Sequence, residues 1–233
     1  MAKHNVWMSV SDLMTGLMII FLFVAVAYMI KVKDNQHVID DYVETKQHLH
    51  DRLVNEFKGD TADWKMVVGK DLSMKFKEPE VLFALGSDEL QPRFKDILDK
   101  FIPKYLGILL NDSLRDRIQE IRIEGHTDTL RMVKYGKDAY LSNVRLSQQR
   151  AYNVLEYIRN MDTIKNYSIE QRQLLDYWLS ANGLSYGKTL DKDGMLTHKT
   201  RKSVDMDASR RVEFRIITTA DDVLEEFVKK NGL

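Results

Sequence analysis

The sequence predicts an α+β chain: one N-terminal membrane-spanning helix, a helical linker, and a domain whose helices pack on one mixed sheet. Three observations predict it. Residues 5–30, NVWMSVSDLMTGLMIIFLFVAVAYMI, hold a single formal charge, Asp12. Residues 31–63 are rich in charge and nearly free of Gly and Pro, with apolar residues at 38, 42, 49 and 53. From Trp64 onward, short alternating apolar runs interleave with runs of helical period. Period 2 marks a half-buried strand and period 3.6 an amphipathic helix.

The first stretch is long enough to span, since about 20 apolar residues at ~1.5 Å each cover the hydrocarbon core of a bilayer. It is longer than a signal-peptide apolar region, so it reads as an uncleaved anchor. Trp7 and Tyr28 stand near its two ends, where amphipathic aromatics favour the membrane interface. Small residues at Ser9, Gly16, Ala25 and Ala27 would admit neighbouring helices closely. A carboxylate in such a span costs about 2.5–3.5 kcal/mol on insertion scales, so Asp12 needs either a function or a partner. Ser11 and Thr15 are its polar neighbours. The bland alternative is that Ser11 or Asp12 caps the helix. Val6, Trp7, Met8 and Val10 speak against it, because the apolar run has already begun before Asp12. Lys3 on one side and Lys31 with Lys33 on the other leave orientation undecided by charge.

Composition excludes several classes. Of 233 residues, 35 are Lys or Arg and 35 are Asp or Glu, a balance that argues against a nucleic-acid partner. With no cysteine, disulfides and cysteine-ligated zinc are excluded. The six histidines form no HExxH motif, and no cofactor or structural metal is expected. No Ser-His-Asp arrangement or catalytic carboxylate pair can be assembled, which makes an enzyme the least supported class.

The connector, 31–63, carries steps of 4, 7 and 4 between its apolar positions. That is a short heptad-like seam, and it predicts a helix leaving the membrane with a parallel dimer contact. Beyond it, WKMVVG and LSMKF read as strands and VLFALGSDELQP as a strand edge and loop. Pro92 opens a helix to about Leu110. EIRIEGH alternates as a strand, and LSQQRAYNVLEYIRNM repeats apolar residues at helical spacing. WLSANGL is a strand, 187–207 a polar loop, RRVEFRIIT the last strand, and DDVLEEFVKK a helix with an acidic start and a basic finish. Three or four strands with helices on one face follow. The expected boundaries are thus a tail at 1–4, a span at 5–30, a linker at 31–63 and a domain at 64–233.

Several motifs carry a resemblance. IRIEGHTD, SNVRLSQQRAYNVLEYI and ASRRVEF, in that order, are similar to the signature of OmpA-like peptidoglycan-binding domains. VLFALGSDELQP and ANGLSYGKTL resemble further segments of that family, so the match covers about residues 70–220. The resemblance implies binding of the peptidoglycan stem peptide, chiefly through its diaminopimelate residue. By motif, Asp128 would read the ammonium and Arg150 the carboxylate, with Thr127, Asn143, Leu146 and the pair Arg210–Arg211 lining the pocket. A fixed Asp and Arg suit a zwitterionic ligand, because charge-assisted bonds read each end separately. The alternative for Asp128 and Arg150 is an internal ion pair. The sequence departs from the family pattern twice: Ser209 precedes the Arg pair where an Asn is usual, and the stretch between Asp128 and LSQQRA is long.

WMSVSDLMTGLMIIFLFV resembles the single span of MotB-type stator subunits, with Asp12 at the position of their ion-carrying aspartate. The terse start and compact chain look most like the ZorB family, the B subunits of Zorya anti-phage defence systems. That resemblance implies an inner-membrane homodimer with a cytoplasmic N-terminus and a periplasmic domain. It also implies a ZorA/MotA-like partner, five copies around two of this chain, and proton flow through Asp12 that turns the ring. A flagellar stator subunit and a non-conducting wall anchor are the alternatives. An inert anchor gains nothing from an intramembrane carboxylate.

Overall fold

The computed structural model describes residues 2–130 and 136–231. Residues 131–135, part of the long stretch after Asp128, lie outside them, as do the side chains of Trp7, Ser9 and Val38. The chain divides into two compact units: residues up to Glu44 with Asp222–Leu233, and Thr45–Asp221.

The first unit holds most of helix α1 (Ala2–Phe57). Within it Val10–Lys33 is long and apolar enough to cross a membrane, with a mean hydropathy of 2.5 and none of the stretch buried by the protein itself. A helix that exposes apolar side chains all round suits lipid rather than water.

The second unit is a five-stranded mixed sheet with helices. After β1 (Met66–Val68) and β2 (Ser73–Phe76) come α2 (Pro79–Leu82), α3 (Pro92–Leu109), β3 (Ile118–His126) and α4 (Ala139–Asn160). Then follow α5 (Asp162–Lys165), α6 (Ile169–Trp178), β4 (Leu179–Gly183), α7 (Thr197–Thr200), α8 (Met206–Ser209), β5 (Arg211–Thr218) and the first turn of α9 (Thr219–Asn231), whose residues from Asp222 belong to the first unit. Strand order is β1-β2-β5-β3-β4, and only β3 and β4 run parallel. The parallel pair requires a crossover, which α4 to α6 supply.

Strand register divides the sheet into two faces. Ile121 and Ile123 of β3 and Val212, Phe214 and Ile216 of β5 are buried on one face. Helix α3 meets them with Phe94, Phe101 and Tyr105, and α4 with Val154 and Ile158. Phe101 lies at the centre, its ring 5.0–5.2 Å from those of Tyr105, Phe214, Phe57 and Phe76.

Phe57 belongs to α1. Leu49, Leu53 and Phe57 are wholly buried in the core of the second unit, which runs from Thr45 to Asp221. Spacing of four places all three on one helix face. Each such side chain contributes about 1.5–3 kcal/mol when buried. Two of the four seam positions, 49 and 53, are thereby used inside the fold and are closed to a dimer contact. Arg117 donates to Thr45, and Lys46 pairs with Asp221 at 2.7 Å, which holds this last part of α1 on the domain.

Three further differences have local causes. VLFALG begins as the helical turn α2 and closes through a single Phe83–Leu90 bridge rather than forming a strand edge. The helix around LSQQRA starts at Ala139, where the Asp138 side chain caps it by accepting from the Leu141 amide. Residues 162–178, unassigned from sequence, form α5 and α6. The start of α6 is a capping box between Ser168 and Gln171, a signal that SIEQ carried openly.

Candidate functional site

The motif residues converge where β3 ends beneath α4. The approach is possible because two glycines face the helix. A Cβ on Gly125 would run into the Ser147 carbonyl, and one on Gly183 into the backbone of Gln148. The two glycines pair across β3 and β4 in the ladder, so together they let α4 settle onto the sheet. The Gln148 side chain then bonds both ways, accepting from Gly183 N at 2.8 Å and donating to Ala181 O at 3.0 Å.

Asp128 follows β3 by two residues and is buried. One of its oxygens accepts from the Leu130 amide at 2.8 Å, and the other accepts from Arg210 Nη1 at 2.6 Å. Arg210 also meets Asp207 of α8. The expected residues are thus close to a guanidinium, but it is that of Arg210. The Arg150 side chain is packed beneath the 83–90 loop. Its Nε donates to Ser87 O at 2.8 Å, its Nη2 reaches Ala84 O at 3.5 Å, and its guanidinium lies 4.8 Å from the Phe83 ring centre. Asn153, one turn along α4, donates to Asp88 O at 2.7 Å. Gly86 supplies the positive φ this loop needs.

Thr127 and Asn143 are both buried. Asn143 Nδ2 donates to Leu130 O and Ala139 O, each at 3.0 Å. Thr127 Oγ1 and Asn143 Oδ1 have no hydrogen-bond partner among the described residues. A buried polar atom without a partner costs about 1–3 kcal/mol, and Glu124 and His126 on the second sheet face leave such atoms too. Leu146, also buried, lies one turn along α4 from Asn143.

Arg211 points to the other sheet face and is fully committed. It donates from Nε to Glu213 at 2.6 Å, from Nη1 to Ser209 O at 3.1 Å and from Nη2 to Lys188 O at 3.2 Å. Ser209 is buried, and its hydroxyl accepts from Leu190 N and donates to Asp205 O. The departure from Asn thereby stitches the 187–207 segment to β5, and that segment contains α7 and α8 rather than being loop throughout.

A charged network fills this second face. Register sets Glu124 opposite Glu213 and His126 opposite Arg211. Arg215 bridges Glu124, Glu213 and Asp71 at 3.3, 2.9 and 2.7 Å. His126 Nε2 stands 3.5 Å from Glu124 and 3.8 Å from Glu213, too far for strong bonds. These three side chains offer ligand atoms within 4.8 Å of one another, but Arg211 and Arg215 already occupy the carboxylates. The guanidiniums supply the charge that a metal would otherwise bring. The alternation E-x-H and R-x-E-x-R at period 2 was readable as a polar sheet face; which charges pair was not.

These groups set the pH response. Burial lowers the His126 pKa below its ordinary 6.5, against the pull of Glu124. For Glu124 burial works upward, but His126 and Arg215 outweigh it and hold the carboxyl at about 2. In the folded state His126 therefore binds fewer protons than in the unfolded chain. Its contribution is complete above pH 6.5 and is lost as pH falls below that value. Glu124 contributes fully above about 4.5 and loses its contribution as pH falls toward 2. Urea unfolding of the detergent-solubilised chain is expected to show stability falling as pH drops below 6.5. His126→Gln should flatten that limb and leave the loss below pH 4.5.

In the span, Asp12 is the one charged residue between Val10 and Ile30. Thr15 donates its hydroxyl to Ser11 O at 2.8 Å, one turn back on its own helix. Ser11, Asp12 and Thr15 therefore share a single turn, with the threonine hydroxyl already committed to the backbone.

The OmpA family model matches residues 82–193. The Zorya protein ZorB of the Escherichia coli Crooks strain is 37% identical over 230 residues, covering 96% of this chain and 92% of that protein. A Zorya protein ZorB from a second Escherichia coli strain is 26% identical over 220 residues, covering 92% and 81%. Among solved structures, a MotB-like protein from Desulfovibrio vulgaris superposes with a TM-score of 0.50 at 22% identity, covering 76% of this chain and 93% of that one. The structural likeness speaks for the fold.

Proposed function

The chain belongs to the ZorB family of Zorya proteins, and on that premise we propose that it is the wall-anchored, ion-carrying subunit of a membrane stator. In this reading Asp12 takes up and releases protons at the interface with a ZorA/MotA-like ring, five copies around two of this chain, and the ring turns in response. The domain from Thr45 to Asp221 lies outside the inner membrane and grips the peptidoglycan stem peptide, so that torque has a fixed point. The context is anti-phage defence.

One observation carries the reading: a lone carboxylate in a membrane-length helix, in the same chain as an OmpA-like domain. Either feature alone has a simpler use. Together they supply the two things a stator requires, a titrating group in the membrane and an attachment outside it. At the wall end, the ammonium of diaminopimelate would compete with Arg210 for Asp128, while Thr127 Oγ1 and Asn143 Oδ1 would gain the partners they lack. Arg150 supports the pocket rim through the 83–90 loop carbonyls.

Co-sedimentation of the detergent-solubilised chain with purified sacculi tests the anchor. Asp128→Asn is expected to lower the bound fraction about tenfold or more, in line with the loss of a charge-assisted bond worth about 1.5–3 kcal/mol. Unchanged sedimentation would rule out Asp128 as the ammonium reader. The membrane end is tested by Asp12→Asn.

A further inference from the structure

Tyr140, the second residue of α4, and Tyr186, in the turn after β4, meet edge to face with ring centres 5.3 Å apart and planes at 84°. Tyr140 is 46% exposed and the adjoining Leu141 63%. Neither ring joins the buried core, so packing does not account for them. The pair is fixed to the Asp128 end of the sheet through Ser185. Thr127 N donates to Ser185 O at 3.0 Å, Ser185 N donates to Ser147 Oγ at 3.0 Å, and Ser185 Oγ donates to Tyr140 O at 3.2 Å. Ser185 itself has a φ of +52°, a region that a side chain disfavours, and these three bonds hold it there. Backbone strain spent on placing the exposed Tyr140 and the half-buried Tyr186 beside the buried Thr127 and Asp128 marks a recognition surface rather than a loose turn.

We propose that Tyr140 and Tyr186 form a stacking platform for a sugar ring of the glycan strand, so that the ligand of this site is the disaccharide-peptide and not the peptide alone. The inference rests on the wall-binding reading above. A pyranose presents an apolar face of axial C–H groups and a polar rim. A tyrosine held edge-on by its neighbour offers an aromatic face to the first and a hydroxyl to the second. Two rings and a leucine form too small an apolar patch for a stable protein interface, which buries roughly 800 Å² per partner.

The test compares two probes on the full chain in detergent by calorimetry. One is the diaminopimelate-containing tripeptide, the other the same tripeptide on its N-acetylglucosamine–N-acetylmuramic acid disaccharide. The wild-type chain is expected to bind the second about tenfold more tightly, the scale of one aromatic stacking contact. Tyr186→Ala and Tyr140→Ala should each remove most of that preference while leaving tripeptide affinity unchanged, and Tyr186→Phe should retain it. Equal affinity of the wild type for both probes would overturn the inference while leaving peptide binding intact. So would a Tyr→Ala variant that weakens both probes alike. Failure of the wild type to bind either probe would overturn the wall-binding reading and the platform with it.

Discussion

Asp12→Asn is expected to assemble normally with its membrane partner yet to reduce ion conduction to background, a fall of roughly 100-fold or more, and to abolish phage protection. The magnitude is that of removing a positioned proton-transfer group. Asparagine matches aspartate in shape and cannot ionise, so packing survives while titration does not. No neighbour can substitute. Residues 10–30 hold no second charge, and the Thr15 hydroxyl is engaged by Ser11 O. The measurement is proton flux into vesicles reconstituted with the coexpressed complex, paired with plaque counts. Retained flux in Asp12→Asn would remove the carboxylate from the ion path and reduce it to a helix cap. Lost flux with retained assembly would leave the ion-carrying role as the remaining explanation.

Arg211→Met is expected to destabilise the domain by about 3 kcal/mol, the lower end for breaking a buried ion pair, because Glu213 keeps Arg215 at 2.9 Å. Arg211 and Glu213 are both almost wholly buried, and Arg211 also holds the carbonyls of Ser209 and Lys188. Methionine fills much of the volume but returns none of these bonds. Urea unfolding should show a lower midpoint with an unchanged slope. Arg210→Met provides the contrast. Arg210 is 17% exposed and pairs with Asp128 and Asp207, so its loss should affect sacculus binding more than stability. Adjacent arginines in one motif thus take different tasks, because successive strand residues face opposite ways. If Arg211→Met unfolds at the wild-type midpoint, the network is dispensable and Arg211 returns to the list of ligand-reading candidates.

How much of this was legible beforehand differs by element. The strands at EIRIEGH and RRVEFRIIT and the helices at Pro92 and LSQQRA show their period within a few residues, and they form where the pattern places them. Residues 162–178 passed unread although their capping signal is local. Positions 49 and 53 were visible as part of a helix seam, but a seam states only that something covers it. The same spacing serves a second chain or the domain's own core, and here the core takes both, together with Phe57.

By itself the sequence determined the apolar helix of membrane-spanning length, its single carboxylate, the α+β class and the identity of the motif residues, since each depends on composition or on periods shorter than a few turns. Only the tertiary structure decided the partners: Asp128 with Arg210, Arg150 with the Ser87 and Ala84 carbonyls, Arg211 inside the sheet network, and Tyr140 against Tyr186. Apart from Arg211 with Glu213, those pairings join residues tens of positions apart. They follow from strand register and from how closely α4 lies over Gly125 and Gly183, and neither is encoded in any one segment.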